Sequence, residues 1–359
     1  MVSTTTITGL GFLIGALFGF LSLRTRFCTA GAIADAVMLG DGGRLRMWML
    51  AMAVAILGTS ALQLGGLFDI SYSGYTGSRL PWLSHLVGGA LFGIGMTLAS
   101  GCGGRTLTRL GGGNLKALVV FMVLVLSAMM AQRGVLSPLR LQGLNQVYLS
   151  LPHGQDLPAF IAATGVSAET ALLLATAIAA GLLLLGALAQ GQTRWRDLLP
   201  GGLAIGMLIV AGWYVTAHLG FQAEEEIFIG TSSERAESLS FVGPLVYTLD
   251  LLLFWSDASR TFSFGIASVL GVISGAMAYS LLNGTFRLEG FKDVQDLTRH
   301  LIGAVLMGFG GITAQGCTIG QGLSGMSTLA IGSMLTTAAI IAGAALSLKL
   351  QYRLLDRRN

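Results

Sequence analysis

The sequence contains one apolar stretch twice. His85 to Cys102 reads HLVGGALFGIGMTLASGC, and His300 to Cys317 reads HLIGAVLMGFGGITAQGC. They align without a gap. They share the opening His-Leu, Gly88/Gly303, Leu91/Leu306, Gly93/Gly308, Gly95/Gly310, Ala99/Ala314 and the closing Gly-Cys. Each copy reads as an apolar helix with small residues at close intervals, ending in a cysteine set among glycines. A chain with two such elements must bury or embed both and place both cysteines at the same structural point.

Composition says which solvent the helices meet. Of 359 residues, 53% are hydrophobic and 11% are charged, and the mean hydropathy is +0.74. Soluble domains carry about 25% charged residues. The chain therefore reads as an all-α, polytopic integral membrane protein. The net charge of +4 comes from basic residues in short clusters between apolar runs. That is the positive-inside pattern and not a nucleic-acid surface. Three cysteines and no CxxC speak against a disulfide framework or a structural zinc. No signal peptide is expected at MVSTTTITGL, which has no basic n-region and no cleavage site.

A span needs about 20 apolar residues. Nine are expected, at 7–23, 47–66, 83–100, 115–131, 170–190, 199–219, 264–282, 300–314 and 328–348. The stretch 241–256 holds Pro244, Asp250 and Asp257 and reads as a short re-entrant segment, as does 25–40 with Cys28. Arg24, Arg26, Arg44, Arg46, Arg105, Arg109, Lys116, Arg194, Arg196, Lys349, Arg353, Arg357 and Arg358 assign the cytoplasmic side. The N-terminus and the acidic loop with Glu224, Glu225, Glu226, Glu234 and Glu237 then lie outside, and the C-terminus inside. The whole chain, 1–359, is one transport domain with halves 7–131 and 199–348 and a linking span at 170–190. The duplicated stretches run in opposite directions, an inverted repeat whose binding site is expected at the interface of the halves. Gly11–Thr25 faintly resembles Gly202–Thr216. The segment 132–169, with Pro138, Pro152 and Pro158, reads as an external loop.

The candidate pathway residues are Cys28, Cys102 and Cys317. Gly101, Gly103 and Gly316 flank two of them and let the backbone break at membrane depth, which is tolerated where it lines a cavity. The competing reading makes the cysteines small buried fillers. Equivalent placement of two of them in the repeat favours a functional role. A neutral thiol is a weak, soft donor and acceptor. A row of such groups passes a soft anion without gripping it, and weak multiple sites are what conduction requires. Gln315, Gln321 and Asn114 lie beside the breaks, either as anion donors or as partners for freed backbone groups. His85 and His300 open the repeat helices as interfacial residues or proton relays. Arg105 and Arg109 fit the positive-inside rule as well as an anion-collecting role. Asp35 either caps its element or faces water. The methionines read as packing. The glycine-rich runs lack a Walker lysine, and no catalytic motif is present, so no cofactor, metal site or enzymatic activity is expected.

The glycine-flanked cysteines of the duplicated stretch, with the early R-F-C-x-x-G at Arg26–Gly31, resemble the YeeE/YedE family of sulphur-transport membrane proteins over about residues 9–348. The resemblance implies thiosulfate uptake across the inner membrane and nine spans with short inserted helices. It implies essential cysteines matching Cys28, Cys102 and Cys317, and a small cytosolic sulphur-carrier protein as partner. Some members are linked to selenium compounds. Two rival readings remain: a membrane sulphurtransferase carrying a cysteine persulfide, which needs a low-pKa thiolate near Arg26 or Arg105, and a redox sensor, which needs two cysteines within disulfide reach.

Overall fold

The computed structural model describes residues 3–188, 195–222, 227–257 and 260–356. Arg194, Glu224, Glu225, Glu226, Arg357 and Arg358, used above to orient the chain, lie outside them. Among the described residues there are thirteen α-helices. They are α1 (Thr4–Arg24), α2 (Thr29–Ala34), α3 (Gly43–Leu64), α4 (Trp82–Leu98), α5 (Gly103–Gly111), α6 (Leu115–Gln132), α7 (Leu157–Ala162), α8 (Ala168–Leu188), α9 (Trp195–Trp213), α10 (Val242–Leu253), α11 (Phe264–Leu282), α12 (Val294–Thr313) and α13 (Ile331–Asp356). Sheet is confined to two antiparallel pairs of two-residue strands, Arg79–Leu80 with Leu149–Ser150 and Phe221–Gln222 with Ile227–Phe228.

Among the described residues, eight helices are long and apolar enough to cross a membrane. The expected span 300–314 is not among them. It lies in α12, twenty residues long, whose first two turns carry Asp296, Arg299 and His300. These polar residues lower the apolarity that the later, glycine-rich turns would satisfy. The 241–256 stretch is the twelve-residue α10, too short to cross. The 25–40 stretch is α2 followed by a π-helical turn, Asp35–Leu39. Asp35 there is ion-paired with Arg44, whose Nη2 donates to Oδ1 at 2.9 Å.

The duplicated stretches form α4 and α12, which pack on one another antiparallel. A Cβ built on Gly95 would lie 2.6 Å from the Gly303 carbonyl oxygen, and one on Gly303 would lie 2.6 Å from that of Gly95. At the other end, a Cβ on Gly88 would lie 2.8 Å from the Gly310 oxygen, and one on Gly310 would lie 2.7 Å from that of Gly88. Gly88 and Gly303 are equivalent in the repeat, as are Gly95 and Gly310. The contact therefore maps onto itself when the copies are exchanged, as it does across a two-fold axis. Only glycine lets two backbones approach this closely, which is how small residues hold membrane helices together.

The packing partners repeat in the same way. α4 packs along α13, and α12 packs along α6. α1 packs on α11 through Gly11, Gly15 and Gly19, and α3 packs on α9 through Gly202 and Gly206. α8 lies against α3 and α7.

Candidate functional site

Each cysteine follows a helix that ends in the same way. α4 closes with the Gly101 N–H donating back to the Met96 carbonyl at 2.8 Å, and α12 with Gly316 donating to Gly311 at 2.8 Å. α1 closes with Phe27 donating to Ser22 at 3.0 Å. This six-to-one bond defines a Schellman end, whose penultimate residue takes the left-handed conformation. That residue is usually glycine. Here it is Ser100 (φ 58°), Gln315 (φ 59°) and Arg26 (φ 55°). A side chain in this region costs about 1 kcal/mol, so each break holds a little strain. Gly101 and Gly316 take the next position, Gly316 at φ 158°. A Cβ at Gly316 would come within 2.9 Å of Gln321 Cγ.

Two residues beyond each strained position stands a cysteine, and each starts a new helical segment. The Cys28 carbonyl accepts from Ala32 N–H at 2.8 Å, that of Cys102 from Thr106 at 2.8 Å, and that of Cys317 from Gln321 at 2.7 Å. Cys28 caps α2, with Gly31 N–H donating to its sulphur at 3.3 Å. Cys102 precedes α5 in extended conformation. Cys317 leads into a π-helical turn, Gly320–Gly325, with Gly320 N–H donating to its sulphur at 3.4 Å. All three thiols are free; Cys102 and Cys317 are buried and Cys28 is partly exposed.

The breaks converge. Cys28 and Cys102 line one cavity of about 10 Å³ with Phe18, Ser22, Phe27, Thr29, Gly104, Arg105, Thr108 and Ile319. Cys102 lies within electrostatic reach of both Cys28 and Cys317, and the Thr318 hydroxyl faces its thiol. A cavity of this size holds about one water, so the route is closed to a larger ion here. Beside Gln315, two adjoining pockets of about 160 and 300 Å³ share Ser240, Gly243, Tyr247 and Gln315. One adds Tyr75, Arg235 and Glu237, and the other adds Gln132, Arg140 and Gly316. Together they form a polar mouth that ends at the backbone next to Cys317.

Of the supporting residues, Gly101, Gly103, Gly316 and Gln315 lie at the breaks. Gln321 is engaged by the protein itself. Its amide donates to the carbonyls of Ala314 at 2.8 Å and Gln315 at 3.0 Å, and its carbonyl accepts from Ser333 at 2.6 Å. It satisfies freed backbone groups, as a break inside a membrane requires. Asn114 is the cap of α6, accepting from Ala117 N–H at 2.9 Å and donating to Glu289, and it is not part of the convergence. His85 and His300 are buried within the protein. The Nδ1 atoms lie 2.7 Å from Thr336 Oγ1 and from the Asp296 carbonyl, respectively. Arg105 lines the cavity, and Arg109 donates to the Ser100 carbonyl at 3.3 Å. No group of His, Cys, Asp and Glu among the described residues is arranged to hold a metal. The sequence reading missed the hydroxyls of Ser22, Thr29 and Thr318. The dipeptide Cys-Thr, present at 28–29 and again at 317–318, was the available signal.

Comparison with known proteins gives the chain a family. A family model described as sulphur transport matches residues 24–346. A thiosulfate transporter, TsuA, of Escherichia coli (strain K12) is 30% identical over 318 residues, covering 87% of this chain and 86% of that protein. A thiosulfate transporter, TsuA, of Spirochaeta thermophila is 26% identical over 339 residues, covering 93% and 96%.

Proposed function

The chain belongs to the sulphur transport family, and on that premise we propose that it carries thiosulfate into the cell along a route marked by Cys317, Cys102 and Cys28. The observation that supports the route is the shared break geometry. Three free thiols each stand two residues past a left-handed residue, and Cys102 is in reach of the other two. The ion enters at the polar mouth beside Gln315 and exchanges water for the groups around Cys317. It then passes to Cys102 and Cys28. A neutral thiol offers its terminal sulphur a weak S–H contact at each station, and no station holds it for long. The first N–H groups of α5, at Gly103 and Gly104, point toward the cavity end where Cys102 stands and favour an anion there. Arg105, in the wall of the cavity shared by Cys102 and Cys28, and Arg109 provide positive charge toward the exit.

In this reading the membrane is the inner membrane. The N-terminus and the Glu234–Glu237 loop lie outside, and the arginines at the end of α1 and the start of α3 lie inside. The small sulphur-carrier protein implied by the resemblance would collect the ion where Cys28 is exposed. The protein acts as a conduit and not as a sulphurtransferase, so no sulphur stays on the chain.

The test is growth on thiosulfate as sole sulphur source, in cells lacking other uptake routes. The intact chain supports growth, and its mass is unchanged after exposure to thiosulfate. Growth persisting after Cys→Ala at all three positions would refute the thiol route. A stable added sulphur would favour the persulfide enzyme instead.

A further inference from the structure

Threonines in this fold usually satisfy their own hydroxyls. Thr25, Thr106, Thr216 and Thr313 donate to the carbonyl four residues earlier, at 2.7, 3.0, 3.2 and 2.8 Å. Thr29 and Thr318 do not. Each follows a pathway cysteine at the very start of a helical segment, so no preceding helical turn offers a carbonyl. Both are buried, at 2% and 1% exposure; the Thr29 hydroxyl has no hydrogen-bond partner among the described residues, and that of Thr318 meets only the Cys102 thiol. Ser22, at 3% exposure on α1, is in the same condition as Thr29. Ser22 and Thr29 line the cavity between Cys28 and Cys102, and Thr318 faces the Cys102 thiol, a weak acceptor. The buried, unpartnered hydroxyls of Thr59 and Thr337 do not line this cavity.

An unpaired buried hydroxyl is costly to keep, and two in the wall of one cavity, with a third against the Cys102 thiol that shares that wall, point to a ligand that pairs with them. We propose that Ser22, Thr29 and Thr318 form the oxygen-binding side of a thio-oxyanion site whose sulphur-binding side is Cys28 and Cys102. The inference rests on the transport reading above and adds what the thiols cannot supply. Hydroxyl donors match an anion's oxygens, thiols match its soft terminal sulphur, and only a ligand with both ends fills the site. Sulfide lacks the oxygens, and sulfate lacks the soft end. These five groups are uncharged and read the ion's shape and polarity, while Arg105 in the same cavity wall supplies positive charge.

The experiment compares the whole protein with T29V, T318V and the double variant in proteoliposomes, reading radiolabelled thiosulfate influx against concentration and the thermal midpoint in detergent. Valine keeps the shape and removes the orphaned hydroxyl. The expected result is a KM raised about tenfold per position, as for one lost hydrogen bond to a charged group. The maximal rate changes less, the midpoint is equal or higher, and T29S and T318S restore the KM. A KM equal to that of the unaltered protein overturns the inference and leaves thiosulfate transport standing. A lowered midpoint, or a valine variant that does not fold, also overturns it, because the hydroxyls would then serve the fold. Absence of influx through the unaltered protein would sink the transport reading itself.

Discussion

Glu237 sits in the wall of the polar mouth with its Oε1 sealed from solvent, while Ser233 donates to Oε2 at 3.1 Å. Arg235, Tyr75 and Tyr247 line the same pocket. Burial pushes the carboxyl up to about 7, against the donated hydrogen bonds from Ser233 and the Gly265 backbone. Between its ordinary pKa of 4.5 and about 7, the folded protein keeps a proton that the unfolded chain has lost. Stability therefore falls as pH rises through that window and is flat above it. The full shift corresponds to roughly 3 kcal/mol, an upper bound because part of the side chain reaches the surface. Thermal midpoints in detergent from pH 4.5 to 8 are expected to decline for the native chain. Glu237→Gln should flatten that slope and melt higher at pH 8. An equal slope in both would show that Glu237 does not titrate in this range.

At the scale of elements, α4 and α12 are held by glycine pairs that tolerate no Cβ. Gly95→Ala and Gly303→Ala should each destabilise by about 1–3 kcal/mol, the usual cost of overpacking. Gly42→Ala should be neutral, since nothing lies within 4 Å of a Cβ there. Thermal midpoints of the three variants check this. The pairing was legible in the sequence because the repeat placed glycines at matching positions, and so was the arrival of Cys102 and Cys317 at equivalent points. The break before Cys28 was legible as the start of a short segment at 25–40, but its geometry was not, because its left-handed residue is an arginine, which carries no turn signal. Asn114 and Gln321 looked alike as polar residues near breaks. Only coordinates separate a cap twelve residues past Cys102 from an amide folded back on two carbonyls. The expected span at 300–314 shows the opposite limit: a helix held by partner helices on several sides carries polar first turns that an apolar window excludes.

At the scale of the whole molecule, exchanging the two copies preserves the partners of α4 and α12, and the cysteine breaks meet close to that central pair. The arrangement leaves a cavity of about 10 Å³ between Cys28 and Cys102, room for about one water and too small for an oxyanion. On the proposed route, passage requires Phe18, Phe27 or Ile319, which line the cavity, to move aside. Strained, non-glycine breaks at three points are where such a movement is cheapest. The central claim is that uncharged thiols at those breaks carry the ion. Its most direct test is the flux of radiolabelled thiosulfate into proteoliposomes holding the pure protein, with each cysteine changed to alanine singly and all three together. The account predicts influx through the native protein, a loss at each position, and background flux when all three are gone; native flux through the triple variant would contradict it.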